Sequence, residues 1–268
     1  MIDGAIPYLR CPVCREPLAR HERALRCARG HSFDMAKQGY ADLSAGRLPH
    51  TGDTAEMVAD RAAFLAAGHY GFIADALAEH RTEGLVLDAG TGTGDYLARF
   101  LDASPAAIGL GLDVSKAALR RAARAHERAG AVLADLWRPL PVADGSAAVI
   151  LDVFAPRNGP EFHRVIRPDG VLLVVTPAAD HLAELIAAHG LIHVDPDKAA
   201  RVTNSLGEHF EQVSTTTCRR ELTLSATEVR TLIGMTPSAR HVDLTTFEPT
   251  RVTAGVDLTV YRPFMGTH

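Results

Sequence analysis

The run Val86-Leu-Asp-Ala-Gly-Thr-Gly-Thr-Gly94 carries apolar residues straight into glycines at 90, 92 and 94. A strand that ends on closely spaced glycines can turn sharply and bring its backbone near a ligand, because glycine adopts left-handed geometry without steric cost. The segments downstream repeat one pattern. Apolar strands are expected at Gly84–Leu87, Ile108–Val114, Val132–Ala134, Ala147–Phe154 and Val171–Thr176. Helices are expected between them at Tyr96–Ala103, Ser115–Gly130 and around Glu161–Ile166, with a turn at Arg167-Pro-Asp-Gly170. Such alternation predicts a mostly parallel sheet with helices on both faces. A helix from Ala179 to His189 follows, then strand, helix and strand at Arg220–Leu224, Ala226–Ile233 and Val256–Tyr261. Upstream, Thr54–His69 and Phe72–His80 read as helices, with Asp53 or Thr54 as the first N-cap.

The glycine spacing narrows the ligand. A dinucleotide site wants G-x-G-x-x-G, and the third glycine's place is taken by Asp95. The run instead fits D-x-G-x-G-x-G, the loop of class I S-adenosylmethionine-dependent methyltransferases, a Rossmann-like fold. Asp88 would then help hold the methionine end of the cofactor, on a loop built from Gly90, Gly92 and Gly94. The next strand ends on Asp113, placed to accept hydrogen bonds from ribose hydroxyls. Asp135 follows the third strand, where the adenine edge is met, with Leu136 and Trp137 available to pack on the ring. Alone, a glycine loop is often only a tight turn, and Asp113 only a helix cap. Their order at successive strand ends favours the cofactor.

Three of the four cysteines fall close together, as Cys11, Cys14 and Cys27, with His31 behind them. C-x2-C-x12-C-x3-H suits a tetrahedral zinc site with four protein ligands, which makes it closed and structural. Buried thiols beside a surface histidine are the alternative, disfavoured because so short a segment lacks a core of its own. Residues 1–43 are therefore expected to form a zinc-binding module, a candidate for RNA recognition. Residues 44–83 would be linker and helices, and 84–268 the methyltransferase domain.

Net charge is −4, so no global basic field announces a nucleic acid. Residues 1–50 hold eight Lys and Arg against five Asp and Glu, leaving twenty against twenty-seven elsewhere. That excess is compatible with RNA contact at Arg10, Arg15, Arg26, Arg29 and the Lys37–Arg47 segment, and surface arginines that only keep a small module soluble would look the same. Lys116, Arg120, Arg124 and Arg128 form a basic stripe that reads as a solvated helix face. No apolar run suits a membrane span, nothing resembles a signal peptide, and clustered cysteines suit a reducing compartment. The expected location is cytoplasmic, without a membrane partner; a homodimer is left open.

The chain resembles the 23S ribosomal RNA (guanine-N1)-methyltransferases, and most nearly the actinobacterial branch associated with resistance to tylosin-type macrolides. The resemblance runs through Cys11–Cys27, Gly30–Tyr40, Asp53–Met57, Gly68-His-Tyr70, Leu112–Lys116, Val153–Asn158, Thr176–Leu185 and Gly234–Ser238. It implies methylation at N1 of a guanine in a hairpin of 23S rRNA domain II, near the exit tunnel, with S-adenosylmethionine as donor and structural Zn²⁺. It also implies cofactor contacts at Tyr70, Gly92, Thr93 and His181, alongside Asp113. No catalytic residue is assigned; Asp152 is the single candidate base for guanine N1, and Phe154 is a candidate stacking surface for the extruded base. A small-molecule methyltransferase with a structural zinc ribbon, or a non-catalytic RNA-binding protein, are the competing readings.

Overall fold

The computed structural model describes residues 2–44, 46, 48–191, 205–236, 239 and 247–264. The chain begins with a 3-10 helix, Ile2–Tyr8, and a small antiparallel sheet of β1 (Leu18–His21), β2 (Ala24–Cys27) and β3 (Ser32–Asp34). The larger sheet contains β4 (Ala41–Asp42), β5 (Gly84–Ala89), β6 (Ala107–Asp113), β7 (Ala129–Leu133), β8 (Ala147–Val153), β9 (Ile166–Pro177), β10 (Phe210–Leu224) and β11 (Thr250–Pro263). Helices α1 (Ala55–Ala66), α2 (Gly71–Ala78), α3 (Asp95–Ala103), α4 (Lys116–Ala122), α5 (Gly159–Val165), α6 (Ala183–His189) and α7 (Ala226–Gly234) connect them. Strand order is β10-β11-β9-β8-β5-β6-β7-β4. From β4 to β9 all neighbours pair parallel, whereas β11 pairs antiparallel with both β9 and β10. Between β9 and β7 the chain order therefore runs outward from β5 in both directions. Open α/β sheets bind their ligands at such a reversal, outside the carboxyl ends of the strands.

Side chains alternate across β5, sending Leu85, Leu87 and Ala89 to one apolar cluster and Val86 to the other. The first cluster also takes Ile2, Leu9, Cys11, Leu18, Leu25, Cys27, Ala41 and Leu43. The N-terminal segment is too small to close a core alone, and it completes its own against the sheet. Residue 43 thus divides the sequence without dividing the core. Arg15, in left-handed backbone (φ 66°), bolts the two parts together. Its guanidinium donates to the carbonyls of Leu140 (2.6 Å) and Val142 (3.0 Å) and reaches Asp144. Arg164 donates to the same two carbonyls.

Several sequence expectations change. The helix expected over Ser115–Gly130 stops at Ala122, because the chain must reach the start of β7 by Ala129 to lie beside β6. Arg124 and Arg128 are consequently off the helix, and the stripe does not exist. Arg128 turns inward and donates to the carbonyls of Leu101, Ser104 and Ala107, satisfying acceptors at the end of α3 and the start of β6. The Arg167–Gly170 turn is absorbed into β9, where its register against β8 shifts between Ala147 and Val149. Helix α6 starts at Ala183 rather than Ala179, after Leu182 in left-handed geometry (φ 55°). Arg47, Pro237 and Ser238 lie outside the described residues. Among the described residues, no helix is long and apolar enough to cross a membrane.

Because the core is shared, stripping zinc with a chelator should lower one thermal transition of the whole chain, followed by circular dichroism. Arg15→Ala should weaken the same transition by about 1–2 kcal/mol, Arg164 still covering both carbonyls. Separate melting of residues 1–43 would contradict this packing.

Candidate cofactor crevice and metal centre

At the end of β5, Gly90, Gly92 and Gly94 all have positive φ, at 76°, 54° and 80°. The loop they form is pinned to the end of β6. The amides of Gly90 and Thr91 both donate to the Leu112 carbonyl at 2.9 Å, and the Gly92 amide donates to Asp113 Oδ2 at 2.9 Å. Asp113 Oδ1 accepts from the Ser115 amide at 2.7 Å, where α4 begins. A side chain at Gly111 would strike Thr91, so β6 leaves room for the loop to fold back over it.

Asp88 is 2% exposed and accepts a 2.6 Å hydrogen bond from Thr91 Oγ1. Burial pushes its carboxyl up to about 7; the Thr91 bond opposes this and the Asp113 charge adds to it. Burial also raises Asp113, against the two amides it accepts from. Thr93 is buried in the same loop. One deep carboxyl and one at the mouth of a tight glycine loop suit a ligand with an amino group at one end and a ribose diol at the other.

Asp135 accepts from the Trp137 amide (3.0 Å) and pairs with His50 Nδ1 (2.9 Å), a partner no sequence signal disclosed. Leu136 sits beside Gly90, whereas Trp137 is 56% exposed. Of the two residues expected to pack on an adenine ring, only Leu136 faces the loop.

The opposite wall is aromatic. Tyr70, 3% exposed, donates its hydroxyl to His181 Nε2 at 3.4 Å. His181 Nδ1 lies 2.8 Å from the Gly255 carbonyl, which can only accept, so Nδ1 carries the proton. Burial holds the Tyr70 phenol well above its usual range. Phe154 closes the group, with its ring centroid 6.5 Å from Tyr70 and 6.1 Å from His181. It is 39% exposed and adopts φ 55°, strained geometry for a bulky residue. Ala155 presses so closely on Gly90 that a Cβ there would lie 2.6 Å away. The end of β8 is thus seated directly against the glycine loop. Asp152, by contrast, is fully buried with Oδ1 3.2 Å from Arg157 Nε. A carboxylate shut in with a guanidinium does not stand at the mouth where a base would be needed.

Cys11, Cys14, Cys27 and His31 offer ligand atoms that all lie within 4.8 Å of one another. His31 Nδ1 is 3.5 Å from Cys11 Sγ and 3.3 Å from Cys27 Sγ, and Cys14 and Cys27 sulfurs are 3.7 Å apart. Tetrahedral Zn–S and Zn–N bonds of about 2.3 and 2.0 Å give edges of about 3.5–3.8 Å, so the donors fit zinc. Burial raises the Cys27 thiol, but hydrogen bonds from His31 backbone and ring bring it down to about 6. Among the arginines compatible with RNA contact, Arg15 is committed to the bolt. Arg10 donates to the Pro7 and Leu9 carbonyls and Arg26 to Ser32. Arg29 pairs with Glu16 across 3.4 Å, with its side chain 66% exposed.

A parallel sheet with its reversal at a glycine loop, joined to a Cys3His ribbon, defines a class I S-adenosylmethionine-dependent methyltransferase carrying an N-terminal zinc module. Residues 9–45 match the family model of a zinc ribbon, "RlmA, N-terminal", and residues 86–170 that of a "Methyltransferase domain". The chain is 54% identical to a "Putative 23S rRNA (guanine-N(1)-)-methyltransferase" of Micromonospora griseorubida, covering 98% of this chain and all of that one. It is 47% identical to the 23S rRNA (guanine(748)-N(1))-methyltransferase of Streptomyces fradiae, over 91% of this chain and 89% of that protein. A chain in the solved "Complex between the Haloferax volcanii Trm112 methyltransferase activator and the putative methyltransferase" shares the fold. It has a TM-score of 0.50 at 18% identity, over 79% of this chain and 96% of that one. The chain belongs to the 23S rRNA (guanine-N1)-methyltransferase family.

The raised Asp88 gives a signed prediction. A carboxyl lifted in the folded state favours folding below its unfolded value and loses that advantage as pH rises through about 7. Asp88→Asn should therefore stabilise the cofactor-free protein at pH 8, by about 1 kcal/mol or more, while leaving pH 4 stability nearly unchanged. Thermal melts of both proteins from pH 4 to 8 check it.

Proposed function

We propose that this chain transfers a methyl group from S-adenosylmethionine to N1 of a guanine in 23S rRNA. The observation that carries this reading is end-to-end similarity to proteins named for that reaction, over a chain that joins the zinc ribbon to a methyl-donor crevice. The cofactor supplies an electrophilic methyl group; the protein's work is to hold and align. Asp88 and the loop of Gly90, Gly92, Thr93 and Gly94 take the methionine end, Asp113 the ribose and Asp135 the adenine side. Tyr70 and His181 line the wall between cofactor and base. Cys11, Cys14, Cys27 and His31 hold zinc as a structural ion.

Phe154 is the surface for the guanine. It directly precedes Ala155, which packs on the glycine loop, and its ring is partly exposed on left-handed backbone. A base must leave its stack to present N1 in line with the methyl group, and an aromatic face offsets the lost stacking. The substrate is a hairpin of 23S rRNA, with a cytoplasmic site of action, and protection against a tylosin-type macrolide is the cellular consequence.

Primer extension on 23S rRNA incubated with the protein and cofactor should stop one nucleotide before the modified guanine, since N1 methylation removes a pairing donor. Absence of any stop, with methyl transfer to metabolites instead, would favour a small-molecule enzyme. Phe154→Ala should lower kcat/KM for the RNA roughly 10- to 100-fold, the worth of one base–aromatic stack, while cofactor affinity stays within about twofold.

A further inference from the structure

Arg61 lies on α1, outside every motif that marks the crevice, yet its guanidinium sits over the glycine loop. A Cβ built on Gly92 would lie 3.3 Å from Arg61 Nη1 and 3.6 Å from its Cδ. The side chain is fixed from behind. Arg61 Nη2 is 2.7 Å from Asp53 Oδ2 and donates to the Met235 carbonyl at 3.1 Å. Asp53 is itself tied down, its carbonyl accepting from Ser115 Oγ at 2.8 Å. Both anchoring contacts use Nη2, so the nitrogen turned toward Gly92 is Nη1, with two more donors in the plane of the fork. The side chain remains 31% exposed, reachable from the crevice. Burial raises the Tyr96 phenol and the Asp113 carboxyl, and the Arg61 charge opposes the shift at each, so both lie within its electrostatic reach.

A cofactor that ends in an amino acid brings both an ammonium and a carboxylate. The carboxyls of Asp88, Asp113 and Asp53 around this loop suit the first and repel the second. Arg99 is no substitute, since its guanidinium lies by Gly71 and pairs with Asp95 at 3.3 Å. We infer that Arg61 is a cofactor-binding residue whose Nη1 donates to the α-carboxylate of S-adenosylmethionine above Gly92, with Asp53 and the Met235 carbonyl as its positioning partners. The inference rests on the methyl-donor reading of the crevice and assigns it a charge-selective end. It also gives Gly92 a reason: a side chain there would stand between the carboxylate and the guanidinium.

Isothermal titration of the full, zinc-loaded chain without RNA tests it, using S-adenosylmethionine and its decarboxylated analogue. The wild type should bind S-adenosylmethionine roughly 10- to 100-fold more tightly than the analogue, as expected for a charge-assisted hydrogen bond. Arg61→Met should abolish that ratio, and Arg61→Lys should retain part of it. A wild type that does not distinguish the two ligands overturns the assignment, and that arm needs no variant to fold. An Arg61→Met protein that binds both more weakly by the same factor, ratio intact, overturns it as well. If the wild type binds neither ligand, it is the methyl-donor reading that fails; if it binds both equally, that reading stands and the role of Arg61 alone is lost.

Discussion

The seam between β5 and β6 is the constraint on which the crevice depends. Four backbone amides converge there on two acceptors, the Leu112 carbonyl and the Asp113 carboxylate. The same carboxylate that would meet a ribose thus also shapes the loop beneath it. Asp113 can do both because its two oxygens offer more lone pairs than the two amides use. The seam in turn needs Gly111 beneath Thr91 and left-handed geometry at three positions of the loop. Strand pairing, loop shape and ligand chemistry are set by one small set of hydrogen bonds.

Around this seam the molecule builds walls from distant sequence. Tyr70 comes from the turn between α1 and α2, Phe154 from the end of β8 and His181 from the segment before α6. They meet because β8 lies next to β5 and because β11 supplies the Gly255 carbonyl that orients the histidine. The residues from Asp53 to Arg61 lean on Ser115 and Met235 and cover the loop from above. A crevice assembled this way keeps its acid groups partly desolvated, which is why Asp88 is held near neutrality.

What could be read from the sequence was whatever is written in local spacing. The zinc ligands follow a fixed interval, and the glycine loop follows a strand, so both were visible together with the parallel sheet. Asp113 and Asp135 followed from their places at strand ends. Tyr70 and His181 carried no local signal and came only through the family resemblance. The contacts of Arg15, Arg61 and Arg128 could not be read for one reason: each reaches a carbonyl distant in sequence, at Leu140, Met235 and Leu101. An arginine on a hydrophilic segment looks the same whether it faces water or a distant backbone. Asp152 was misplaced because a strand end was visible but its pairing with Arg157 was not.

The Arg15 bolt bears on how the metal module reaches its final packing. The four metal ligands lie within a short stretch of chain, so the ion can be taken up by that stretch alone. Yet Cys11 and Cys27 share one apolar cluster with residues of β5, β6 and β7, and Arg15 is held by Leu140 and Val142. The final packing of the module therefore depends on partners far away in sequence. Until those partners and the pairing of β4 with β7 are in place, a bound metal would be what holds the small sheet in register.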